Sequence, residues 1–138
     1  MKEYSGDISM RLSEVLESHN VEELSDCMII LFYQSDPIDS ILFPIIERLL
    51  SDRWHQKHEE IIGLIWLRDM KDDRFIEPII AIALDGNSFR PFDDELEPTL
   101  RKCVHALKTI GTNRADLAIR QLVDSGNENV KHILDIYR

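Results

Sequence analysis

Glycine, proline and cysteine are all scarce in this chain, with five, five and two among 138 residues. An all-β fold needs a turn signal every few residues, and so few turn formers exclude one. Basic residues are in deficit too, with 16 Lys and Arg against 26 Asp and Glu, for a formal charge of −10. Phosphate backbones and anionic bilayers are therefore disfavoured as direct partners, whereas a basic protein would be steered in. Long apolar runs are missing as well. Met28 to Tyr33 is among the longest and falls far short of the roughly 20 residues that span a bilayer. The opening segment from Met1 to Asp7 holds no apolar core of signal-peptide length, so the expected location is the cytoplasm.

Nor does the chain offer a recognisable reaction centre. It has no glycine-rich phosphate loop and no nucleophile elbow. The acid pairs Asp72-Asp73 and Asp93-Asp94 stand where helices begin, and capping and the helix dipole account for them. His55, His58 and Glu59 have the i, i+3, i+4 spacing of a shared helical face, but not the HExxH order of a zinc protease. They read most simply as exposed residues at a helix start. His105 reads as a surface residue, and His19 and His132 have no suggestive neighbours. Cys27 and Cys103 each fall in a helical apolar pattern, as buried free thiols do. No catalytic residue, metal or cofactor is expected, and the chain reads as a non-enzyme.

What the chain does have is helical periodicity. With 43% hydrophobic and 30% charged residues it reads as one globular domain over residues 1–138. Asp7 can cap a first helix carrying Ile8, Leu12, Val15 and Leu16, and Asn20 a second carrying Leu24, Cys27, Met28 and Leu31. Ile29, Ile30 and Phe32 widen the second stripe, which predicts cover on more than one side. Pro44 requires the third helix either to bend or to begin late, near Asp39-Ser40. The fourth is expected from about His55 to Met70, buried between neighbours along Ile61 to Leu67. A fifth carries Phe75, Ile76, Ile79, Ile80 and Ala83. The sixth, capped by Asp93 or Asp94, carries Leu100, Cys103, Val104 and Leu107 and ends at Gly111. A seventh carries Ala115, Ala118, Ile119 and Leu122, and an eighth Val130, Ile133, Leu134 and Tyr137.

Two internal repeats cross this pattern. At an offset of forty, Leu64 matches Val104, Leu67 Leu107, Met70 Ile110, Ile79 Ile119 and Ile82 Leu122. At an offset of thirty-four, Asp39, Pro44, Ile45 and Ile46 match Asp73, Pro78, Ile79 and Ile80. An offset of forty is about the length of a HEAT or armadillo unit. The expected fold is thus all-α, a short α-solenoid of about four helical hairpins, eight helices in all, in which each pair is stabilised by stacking on the next.

The run from Arg101 to Gly111, with its Ala-Leu and Ile-Gly ending, resembles a HEAT second helix, and the Pro-Ile-Ile helices are similar to HEAT first helices. The resemblance covers about Asp36 to Arg138. In such stacks the second helices line one concave face. Here that face would draw on Glu22, Glu23, Asp26 and Tyr33, then Glu59, Glu60 and Trp66, then Asp94, Glu95, Lys102 and His105. Phe89 and Phe92, in the long loop beside it, are candidate anchors, because interface hot spots favour aromatics ringed by polar groups. Trp66 also sits in the most apolar helix, where core burial is the plainer reading. In size, charge and architecture the chain is also similar to the immunity proteins of bacterial contact-dependent growth inhibition, which bind and block basic nuclease toxin domains. That resemblance implies a basic partner whose cleft is occluded by carboxylates. The alternatives are a HEAT scaffold or adaptor without an inhibitory role, and an enzyme of HEAT-like type.

Overall fold

Polar turns divide the chain into seven α-helices in a computed structural model that describes residues 3–84 and 96–124. They are α1 (Glu3–Ser18), α2 (Val21–Tyr33), α3 (Phe43–Ser51), α4 (His58–Leu67), α5 (Ile76–Leu84), α6 (Leu96–Ile110) and α7 (Asn113–Asp124). No strand occurs among the described residues. The fold class is all-α, as the scarcity of turn formers requires. The eighth expected helix and the Asp93/Asp94 cap lie outside the described residues.

Local chemistry sets most of the boundaries. The Asn20 side chain accepts a hydrogen bond from Glu23 N at 3.0 Å and opens α2. Asp39 likewise accepts from Ile41 N at 3.0 Å and opens a 3₁₀ turn, Ser40–Leu42, which feeds α3. Pro44 then falls in the first turn of α3, where its missing N–H leaves no bond unmade, so the α-helix begins late, at Phe43. The second 3₁₀ turn, Asp73–Phe75, feeds α5 in the same way. Its cap is Asp72, which accepts from Arg74 N at 2.9 Å. The repeat had aligned Asp73 with Asp39. Instead Asp73 accepts the Thr112 hydroxyl, at 2.6 Å, from the turn before α7.

Among the described residues, three helix ends use left-handed backbone. Gly111 (φ 68°) closes α6, as its position after the last apolar residue predicts. Asp69 (φ 57°) closes α4, where Met70 N bonds back to Ile65 O at 3.0 Å and the Met70 side chain is buried. That 6→1 bond is a Schellman stop, and it ends α4 at Leu67, three residues short of the expected Met70. His19 (φ 58°) closes α1. At its other end α1 begins at Glu3, so Asp7 is inside the helix and does not cap it.

α1 packs on α2, α3 on α4 and α5 on α6. The odd-numbered helices α1, α3, α5 and α7 also touch in that order, and so do α2, α4 and α6. A single apolar cluster runs through them, from Leu12, Leu24 and Leu31 through Leu49 and Ile62 to Ile79, Val104 and Leu122. Ile61 to Ile65 of α4 are all buried, in agreement with the reading of α4 as a helix enclosed by neighbours. Cys27 and Cys103 are buried and in no disulfide, and burial pushes the Cys27 thiol up to about 11. No described helix is long and apolar enough to cross a membrane.

Candidate partner-binding surface

The residues proposed for a binding face divide into those tied into the protein and those left open. Glu23 is tied, because its carboxylate accepts Arg11 Nε at 2.5 Å and joins α2 to α1. That hydrogen bond raises the Arg11 pKa. Glu59 is tied too, with its Oε1 3.1 Å from Lys102 Nζ across the α4–α6 contact. Both pairs are about a third exposed, so each contributes little stability, but each neutralises a carboxylate the face was expected to offer. Glu22, Asp26 and Glu60 are exposed and form no ion pair among the described residues.

Helix geometry places the open residues. At 100° per residue, Glu22, Asp26, Ile29 and Tyr33 fall within an arc of about 60°, a single stripe along α2. Tyr33 is 84% and Ile29 58% exposed. The widened apolar stripe of α2 predicts cover on more than one side: α1 and α4 both pack on this helix, with Ile30 and Phe32 partly buried against the core, and Ile29 alone of the three is left exposed. The buried residues of α2 are Leu24, Cys27, Met28 and Leu31, and Ile29 and Tyr33 stay on its outer face. Between this stripe and the first turn of α4 runs a groove of about 420 Å³, lined by Ser25, Met28, Ile29, Phe32, Tyr33, Lys57 and Glu60. Sequence reading found Tyr33 and Glu60 but missed the groove. The i, i+4, i+7, i+11 spacing of the stripe was the signal available.

Trp66 is half-buried, packed on the core with one face turned to His105 of α6. The rings stack at 4.4 Å and 14°. His105 is accordingly half-buried and not the plain surface residue expected. Burial, with Arg101 nearby, lowers its pKa. Gly63 lies under the Lys102 side chain, where an added Cβ would meet Lys102 Cδ at 3.7 Å, an ordinary contact. Gly63→Ala should therefore raise stability by about 0.5–1 kcal/mol, because mid-helix glycine leaves the unfolded chain more freedom. A urea midpoint no higher than wild type would show that Lys102 does not make room.

The histidines read as exposed are among the most buried polar residues: His55 is 3% and His58 1% exposed. Their rings stack at 4.3 Å, and Trp54 joins His55 edge-on and His19 face-on. His55 Nε2 is 2.8 Å from Leu49 O, near the end of α3, and His58 Nε2 is 2.6 Å from Asp52 O. They satisfy carbonyls that a helix end leaves without partners. The commitment of His55 to α3 also explains why α4 starts at His58 and not at His55. No group of three or more potential metal ligands occurs among the described residues.

Phe89, Phe92, Asp94 and Glu95 lie outside the described residues. A scan against models of known protein families finds no match, and neither does a search of curated proteins or of solved structures.

Proposed function

We propose that this chain is a non-catalytic, cytoplasmic protein-binding module of stacked HEAT-like hairpins that neutralises a basic partner. The most concrete form of the proposal is an immunity protein that occludes the cleft of a nuclease toxin. The stacked-hairpin reading is supported by the order of helix contacts, odd helices with odd and even with even, and by the forty-residue offset that sets α4–α5 over α6–α7. The observation that carries the binding reading is the exposure of Glu22, Asp26 and Glu60 beside Ile29 and Tyr33, on a chain of charge −10. Carboxylates of this kind compete for the positive cleft that holds phosphates, while the exposed apolar groups supply a desolvated centre.

The test is protection. Co-expression with the nuclease domain encoded beside its gene should restore growth, and purified chain should inhibit that nuclease stoichiometrically. Reversing Glu22, Asp26 and Glu60 to lysine should slow association by about tenfold or more at low salt. Absence of both rescue and inhibition by soluble wild-type chain would refute the toxin reading and leave a scaffold.

A further inference from the structure

We propose that the groove between α2 and the first turn of α4 receives one amphipathic basic segment of a partner protein. Its apolar anchor would lie between Ile29 and Tyr33, and its lysines or arginines would face Asp26, Glu22 and Glu60. This rests on the binding reading above and assigns it a place and a ligand chemistry.

The groove is mainly apolar, and the exposed stripe of α2 carries acidic residues beyond its end. Met28 and Phe32 form an apolar floor, and the exposed side chains of Ile29 and Tyr33 stand beside it. One helical turn from Ile29, towards the start of α2, the stripe becomes acidic at Asp26, and one turn further at Glu22. Glu60 adds a third exposed carboxylate from α4, and among the described residues Lys57 is the one cation lining the groove. At 1.5 Å per residue, Asp26 lies about 5 Å and Glu22 about 10 Å beyond Ile29 along the axis.

A complementary ligand has an apolar side chain and, within those distances, positive charge. A nucleic acid brings phosphate to an acidic rim, and an anionic bilayer does the same, so both are repelled. A second copy would set the same three carboxylates against one another. A protein segment bearing an apolar anchor and lysines or arginines satisfies the apolar groove and the acidic stripe that continues from it, in the manner of an amphipathic helix laid in a hydrophobic channel.

The probe is a fluorescein-labelled synthetic peptide of leucine and lysine arranged on opposite helical faces, titrated with full-length protein and followed by anisotropy. Binding should weaken about tenfold in E22K/D26K and about tenfold in I29A/Y33A, exposed changes whose folding circular dichroism verifies. E77K/D116K, which alters net charge as much as E22K/D26K but on α5 and α7, should stay within about threefold of wild type. The inference is overturned if E77K/D116K weakens binding equally, if an all-lysine peptide binds as tightly as the leucine-lysine one, or if neither peptide binds. Wild-type self-association abolished by I29A/Y33A would identify a second copy as the occupant, and would also overturn it. Groove-specific peptide binding without toxin rescue would refute only the immunity reading. Full rescue by both E22K/D26K and I29A/Y33A would refute only the groove.

Discussion

Acidification from pH 7 to pH 4 should cost the fold about 3 kcal/mol through His58 alone. His58 is lowered from its ordinary 6.5 to about 4, chiefly by burial, with neighbouring His55 and Arg53 acting in the same direction and the hydrogen bond to the Asp52 carbonyl and the Asp52 charge opposing them. His55 is lowered by burial in the same way. Its Nδ1 accepts Lys57 N at 3.0 Å while Nε2 faces Leu49 O, so the neutral ring is the form that fits. In the unfolded chain both rings take up protons near pH 6.5, whereas the folded chain resists protonation. Stability is therefore complete above 6.5 and falls as the pH drops through the window down to about 4, where His58 protonates in the folded state as well.

Carboxylates titrate in the lower part of that range, and a chain of charge −10 gains from neutralising some of them. The informative quantity is thus the difference between wild type and His58→Gln. Urea unfolding at intervals from pH 7 to 4 should give converging curves, with the glutamine variant losing about 3 kcal/mol less over the window. Parallel curves would mean that His58 is not held neutral.

The second large effect is expected at Phe75. Its ring is fully buried and meets Phe43 edge-on at 5.3 Å and 62°, binding the turn before α5 to the start of α3. Phe75→Ala removes a core side chain from a site closed by the fixed geometry of two 3₁₀-to-α junctions, so collapse into the cavity is limited. The loss should be about 3–5 kcal/mol, a large part of the stability of a domain this size, with a Tm fall of roughly 10 °C or more. Ile41, 63% exposed in the matching turn before α3, is the control. Ile41→Ser should change stability by less than about 0.5 kcal/mol. A Phe75→Ala loss below about 1 kcal/mol would contradict this packing.

The two effects differ in how readable they were beforehand. Periodicity places Phe75 on the inner face of a fifth helix, in step with Ile76 and Ile79; it is buried as that requires, but in the 3₁₀ turn that leads into α5. The His55–His58 stack could not be read in this way. Both residues look polar and helix-starting in sequence. Their burial depends on the turn after α3 folding back to offer the carbonyls of Leu49 and Asp52, six residues upstream in each case. The candidate site divides similarly. Glu22, Asp26, Tyr33 and Glu60 are exposed, as the sequence reading required, whereas Glu23 and Glu59 are held by Arg11 and Lys102 from other helices. Asp72 and Asp73 make the point at the smallest scale. Either acid suits a cap, and the hydroxyl of Thr112, thirty-nine residues on from Asp73, takes the second.

Sequence alone determined what is decided within a turn or two of helix: the helical class, the cap at Asn20 and the stop at Gly111. These are hydrogen bonds and torsions between near neighbours, so residue identity suffices. The tertiary structure alone decided which apolar residues went uncovered, which acids kept their charge free and which histidines lost water. Those outcomes depend on which helix lies alongside, and Ile29 and His58 are sorted to surface and interior by neighbours that no local pattern names.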